Sequence, residues 1–192
     1  MILVAIGANM SGPFGSALDT VRAVPELLAR HNVLPVAASH IYATQPVGVA
    51  GQNPYCNSML SVRSARPPQA LLMVLKDIER TAGRTAGLRW GPRVLDLDLI
   101  AYHDRVLVPA SPPCKSGSKI MRGASEYLIL PHPRAHLRPF VMRPLVDIAP
   151  NWLHPILRQT SWQIWRRLQF SKPGAVIKDC GPLDIAVPRP DN

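Results

Sequence analysis

The sequence predicts an α+β fold built in the order β-α-β-β-α-β and followed by a C-terminal helical extension. Three observations carry this. Hydrophobic periodicity switches between the strand and helix repeats in that order over residues 2–102. Clusters of Gly, Pro, Ser and Asn separate the periodic segments. The 192 residues, 47% hydrophobic and 6% aromatic, suit one domain with an aliphatic core. The order is that of a ferredoxin-like fold, with residues 1–170 as its single domain and 171–192 as a Pro-rich, peripheral tail.

Residues 2–6 are an apolar run ended by Gly7-Ala8-Asn9 and read as a buried strand. Over 14–30, Leu18, Val21, Val24, Leu27 and Leu28 recur at helical spacing, and Pro25 is expected to kink or split that helix. Residues 33–42 form the second strand. The loop 43–54 is too long for a tight turn, and 55–62 form the third strand, paired with the second. Pro67-Pro68 opens a helix where proline is tolerated, with Leu71, Leu72, Val74, Leu75 and Ile78 as its buried stripe and Gly83 as its cap. Residues 96–102 form the fourth strand and 106–108 a short extended piece. A polar insertion at about 110–126 carries Lys115, Lys119 and Arg122. Helices are expected over 138–147, broken locally at Pro144, and over 160–168. The two helices of the core cover one face of the sheet, so the other is expected to be open to ligands.

A net charge of +10 implies an anionic partner, whether nucleotide, nucleic acid or acidic membrane. The 21 prolines are about twice the average usage of roughly 5% and thicken towards the C-terminus. Cys56, Cys114 and Cys180 fit neither a disulfide framework nor zinc spacing, and a reducing cytoplasm is the simpler setting. The N-terminus has no basic leader region and no span long enough for a membrane.

The chemistry gathers in Arg89-Trp90-Gly91-Pro92-Arg93-Val94-Leu95-Asp96-Leu97-Asp98-Leu99-Ile100. Residues two apart on a strand share a face, so Asp96 and Asp98 point together while Leu95, Leu97 and Leu99 point away. Paired carboxylates repel unless something positive lies between them. Magnesium suits that place, because it prefers carboxylate oxygen and keeps phosphate as a further ligand. Arg89 and Arg93 suit phosphate by their planar, multi-donor geometry. The plainer reading is an edge strand with a polar outer face. His132 and His136, four apart, suggest zinc, but Pro131 and Pro133 disfavour the helix that zinc spacing would need.

The run R-W-G-P-R-x-x-D-L-D resembles the signature of the 6-hydroxymethyl-7,8-dihydropterin pyrophosphokinases of folate synthesis. A second run, P-H-P-R-x-x-x-R-x-F over residues 131–140, is similar to that family's other signature. The resemblance spans roughly residues 2–150. It implies a ferredoxin-like domain that moves diphosphate from ATP to a pterin alcohol with two magnesium ions, acting as a monomer without nucleic acid or membrane. It implies metal ligation by Asp96 and Asp98 and catalytic roles for Arg84 and Arg93 beside them. Glu79, Arg89, Trp90, Arg93, Leu99, His132 and Arg138 would face the nucleotide. Thr44, Gln45, Val47, Tyr55, Asn57 and Phe140 would face the pterin. A flat, polar-edged ring suits an amide that both donates and accepts and an aromatic to stack on. Gln45 stands where the family pattern has proline. Ala86 stands where a second loop arginine is common, and the basic insertion is a candidate replacement for it. Glu79 and Arg84 also read as an ordinary surface pair. Two other readings of the chain stay open: a nucleic-acid-binding module, which would show aromatics on adjacent strands, and an inactive relative that keeps the fold.

Overall fold

The computed structural model describes residues 1–48, 51–84, 91–108, 128–170 and 174–185. It is a mixed α/β domain around an antiparallel sheet. Strand β1 (Ile2–Ala8) lies between β4 (Tyr55–Arg63) and β5 (Asp96–Tyr102), antiparallel to both. Beyond β4 lie β3 (His40–Thr44) and then β6 (Val176–Pro182), while β2 (Leu34–Ala38) pairs with β4 as well. The unbroken apolar run of β1 follows from its place, since six of its seven residues are buried and both its edges are paired.

Helices α1 (Ala17–Arg30) and α2 (Pro68–Thr81) pack on one face. Val21, Val24, Leu28, Leu71, Leu75 and Ile78 meet Ile2, Val4, Ile6, Leu60, Leu97 and Leu99 in the larger core. Each such side chain contributes about 1.5–3 kcal/mol by leaving water. Helix α1 begins at a capping box in which Ser16 accepts from the Asp19 backbone and Asp19 reaches back to Ser16. It runs on through Pro25 as one element, held by its buried stripe, and α3 (Pro139–Ile148) does the same through Pro144. Gly83 follows α2 at φ +88, the left-handed conformation that ends a helix.

The second face is not fully open. Helices α3 and α4 (Ser161–Leu168) cover half of it, packing Val141, Met142, Leu145 and Ile164 on Leu3, Met59, Ile100 and Ala101. A short 3₁₀ turn (Ala135–Leu137) leads into α3. The tail expected to be peripheral supplies β6 between Val176 and Pro182 and buries Leu183 in the main core. The insertion 110–126 lies outside the described residues, as does Cys114; Leu107 and Leu130, on its flanks, form an antiparallel bridge.

The expected single strand over 33–42 is two strands joined at Ser39. There the side chain takes over a ladder position: Ser39 Oγ accepts from the Met59 N–H at 2.9 Å, and the Ser39 N–H donates to the Met59 carbonyl at 3.0 Å. Ser39 is 1% exposed. We predict that Ser39→Ala, which leaves the Met59 N–H buried without its partner, lowers unfolding free energy by about 1–3 kcal/mol. The check is a shifted urea midpoint at unchanged slope.

Candidate active site

The uncovered half of the second sheet face is the floor of an open cavity of about 360 Å³. Strand alternation assigns the residues. Leu3, Met59 and Ile100 occupy the half under α3; Ala5, Gly7, Tyr55, Asn57, Asp96 and Asp98 occupy the open half. Gly7 pairs with Asn57 on one side and with Asp96 on the other. A Cβ on Gly7 would stand 3.1 Å from Asn57 Oδ1, so glycine keeps the centre of the floor low.

One wall is cationic and hangs on Glu79. This side chain, on α2, is 1% exposed. Its Oε1 accepts from the Leu97 N–H at 2.7 Å and from Lys76 Nζ at 2.6 Å, and its Oε2 pairs with Arg84. Lys76 also donates to the Leu97 carbonyl at 3.0 Å. Burial pushes the Glu79 carboxyl above its ordinary value, against the pull of Lys76. Arg84 Nη1 reaches on to Asp96 Oδ1 at 2.7 Å. Asp98 lies 3.9 Å from His132 Nε2 and 3.7 Å from Arg138 Nη1, which places both groups across the cavity from β5 without a direct hydrogen bond. Burial holds His132 below its usual range, which favours the neutral ring. Its Nδ1 accepts from the Arg134 N–H at 3.2 Å, which leaves the ring proton on Nε2, facing the cavity.

The opposite wall is flat and amide-lined. Asn57 Nδ2 donates to Thr44 Oγ1 at 2.7 Å, fixing the amide with its oxygen over Gly7. The Tyr55 hydroxyl donates to the Gly91 carbonyl at 3.1 Å, tying β4 to the segment before β5. Phe140, at the start of α3, carries the Arg138 guanidinium 5.6 Å from its ring centre. Gln45 and Val47 complete this side.

Most of the sequence-derived site residues therefore meet in one cavity: Thr44, Gln45, Val47, Tyr55, Asn57, Arg84, Arg93, Asp96, Asp98, His132, Arg138 and Phe140. Leu99 is a correction. Its side chain is 3% exposed in the core between sheet and helices, on the face opposite the aspartates, and does not line the cavity. Glu79 is another: at 1% exposure it cannot touch a nucleotide, and it acts on Lys76 and Arg84 instead. Arg89 and Trp90 lie outside the described residues, as does Ala86.

Two contributors went unread in the sequence. Lys76, which lines the cavity, was signalled only by its helical spacing of three from Glu79. Asn9 ends β1 and ties three segments together. Its Oδ1 accepts from the Arg93 N–H at 2.7 Å, its N–H donates to the Arg93 carbonyl at 2.9 Å, and its Nδ2 donates to Gln52 Oε1 and the Asn53 carbonyl at 3.2 Å each. The segment that carries Arg93 is thereby fixed beside the sheet.

Comparison with known proteins fits this arrangement. The chain is 35% identical over 157 residues to a 2-amino-4-hydroxy-6-hydroxymethyldihydropteridine pyrophosphokinase from Synechocystis sp., covering 81% of this chain and 72% of the relative. The enzyme of that name from Aquifex aeolicus is 27% identical over 158 residues, 82% of this chain and 86% of its own. Among solved structures, Plasmodium falciparum HPPK-DHPS superposes with a TM-score of 0.66 at 13% identity, covering 88% of this chain and 44% of that one, a likeness of fold. The family model described as 7,8-dihydro-6-hydroxymethylpterin-pyrophosphokinase matches residues 3–150, and the chain belongs to that family.

Proposed function

We infer that the cavity transfers diphosphate from ATP to the hydroxymethyl group of 6-hydroxymethyl-7,8-dihydropterin and releases AMP, a step of folate synthesis. One observation carries the reading. A single sheet face sets two carboxylates against Lys76, Arg84, His132 and Arg138 at one end and an amide and aromatic wall at the other. Phosphate suits the first end and a pterin ring the second. The strand order β5-β1-β4 continued by β2 and β3 supports a ferredoxin-like core under this site. Free Cys56 and Cys180 support a reducing, cytoplasmic setting, and no described helix is long and apolar enough to cross a membrane.

In this reading Phe140 stacks on the pterin, and the Asn57 amide, oriented by Thr44, meets its polar edge. The pterin hydroxymethyl oxygen then lies near the β-phosphorus of ATP. The new oxygen–phosphorus bond forms as the bond from the β-phosphorus to the oxygen bridging to the α-phosphate breaks, and AMP leaves with that oxygen. The hydroxyl proton is lost to solvent. Arg84, Lys76 and Arg138 offset charge on the phosphates, and neutral His132 donates from Nε2 to a phosphate oxygen. Arg84 has two carboxylate partners here, and it exchanges Asp96 for phosphate when ATP binds.

The donor set fits magnesium. Asp96 and Asp98 are 35% and 31% exposed on one strand face, open to a ligand that brings its own oxygens. No group of three or more His, Cys, Asp or Glu that could hold a metal occurs among the described residues. One or two carboxylates completed by substrate phosphates is the usual magnesium pattern. Bound there, magnesium would neutralise phosphate oxygens and acidify a ligated hydroxyl. On the open half-face the sheet presents Tyr55 with two carboxylates, a poor platform for stacked nucleic-acid bases.

The direct test is AMP release from ATP, magnesium and the pterin alcohol. We expect one AMP per pterin diphosphate in the wild type. We expect turnover to fall by about a hundred- to a thousandfold in Asp96→Asn and Asp98→Asn, the loss on removing a main electrostatic stabiliser. Both variants keep their fold, because a like-charge pair has been relieved. ADP as product, or near-normal turnover of either variant at saturating magnesium, sinks the assignment.

Phe140→Ala separates the two ends of the cavity. Stacking on an aromatic is worth about 1–3 kcal/mol for a nucleobase. By calorimetry, pterin affinity falls by that amount while affinity for a non-hydrolysable ATP analogue holds. Equal losses for both ligands would instead make Phe140 a packing residue.

A further inference from the structure

We propose that the C-terminal segment 174–183 backs the wall of the pterin subsite, with Gly174 as the positioning residue that sets Phe140. The inference rests on the assignment of Phe140 to the pterin. The segment lies beyond the residues matched by the family model, which end at 150.

Three contacts join the segment to the pterin side. Strand β6 pairs with β3, placing Val176 opposite Thr44, the residue that orients Asn57. The Gln45 N–H donates to the Ala175 carbonyl at 2.9 Å, so the loop after β3 is held by the tail. Gly174 is pressed against both Phe140 and Val47: a Cβ built on it would stand 2.6 Å from Phe140 Cδ1 and 3.3 Å from Val47 Cγ2. At that spacing the ring or the segment has to move. Gly174 also has φ +74, which few other residues adopt without strain.

The segment is anchored away from the cavity. Leu183 is 4% exposed in the main core, and its N–H donates to the Ser39 carbonyl at 3.3 Å. His40 Nδ1 meets Asp179 Oδ2 at 2.8 Å, and Asp179 Oδ1 accepts from the Gly181 N–H at 2.8 Å. From β3 the connection continues into α3. The Tyr42 hydroxyl donates to Asp147 Oδ2 at 2.7 Å, Arg143 pairs with Asp147 at 2.5 Å, and the Arg143 guanidinium lies 4.7 Å from the Tyr42 ring centre. Helix α3 begins at Phe140's end of the cavity. The tail, β3 and α3 thus form one frame around the flat wall, which meets the phosphate end where Arg138 lies over the Phe140 ring. The consequence is selective: loosening the tail changes how the pterin is held and leaves nucleotide binding alone.

The test is a double-mutant cycle in the full chain, read by calorimetry with the pterin alcohol and, separately, with a non-hydrolysable ATP analogue. Gly174→Ala raises the pterin Kd by roughly tenfold, part of the value of a stacked ring, and leaves the ATP-analogue Kd unchanged. In the Phe140→Ala background the same substitution has no further effect on pterin binding. An unchanged pterin Kd, equal losses for both ligands, or full additivity in the cycle overturns the proposal. A second measurement uses the wild type and does not depend on the variant folding. Hydrogen exchange at Gln45 and across 175–180 slows when the pterin alcohol binds and not when the ATP analogue binds; exchange unaffected by the pterin also overturns it. If the wild type does not bind the pterin alcohol at all, the underlying assignment of the cavity fails. If it binds and Gly174→Ala changes nothing, only the role of the tail fails.

Discussion

The site depends on one buried carboxylate. Glu79 accepts from the Leu97 N–H and from Lys76 and pairs with Arg84, so a single side chain joins α2 to β5 and fixes two cations beside Asp96. Leu97 lies between the two aspartates in sequence, and holding its N–H holds the strand that displays them. Burial raises the Glu79 carboxyl above its ordinary value, so its charged form is less favoured in the fold than in water. A carboxyl with a raised folded value binds protons more tightly in the native state, so it favours folding below its ordinary value and loses that advantage as pH rises through the raised one. At neutral pH burial of the carboxylate therefore counts against stability, the Leu97 N–H, Lys76 and Arg84 count for it, and these same contacts place Lys76 and Arg84 at the site.

The sheet solves a second problem by dividing one face. Under α3 it is apolar, and a few residues further along the same strands it is polar and open. The rigid half fixes the open half, because each strand carries both. Phe140 stands on the first turn of the covering helix, and the flat wall inherits its position from core packing by Val141, Met142 and Leu145.

Much of this was legible in the sequence, and the exceptions have physical causes. Periodicity located β1, β4, β5, α1 and α2, because that signal is local, and read β2 and β3 as one strand. Asp96 and Asp98 were legible as a pair by the strand repeat alone, and the second signature run located His132, Arg138 and Phe140. The same repeat placed the Leu99 side chain opposite the aspartates, where the structure has it. The break at Ser39 was not legible, because its hydroxyl substitutes for a ladder bond to a residue twenty positions away. Nor was β6, where proline density reads as loop and the pairing is set by β3. Glu79 looked like a surface residue because a helix end gives no sign that a neighbouring strand will close over it.

The central claim, that Glu79 serves the site rather than the fold, is tested most directly by Glu79→Gln, with unfolding free energy and turnover measured on the same preparation. Glutamine keeps an oxygen for the Leu97 N–H and removes the charge, and Lys76 and Arg84 are exposed enough to turn to water. The account requires stability at neutral pH to stay level or rise while kcat falls by roughly tenfold or more, the size of one displaced electrostatic contact. A variant that loses stability but turns over at the wild-type rate would contradict it.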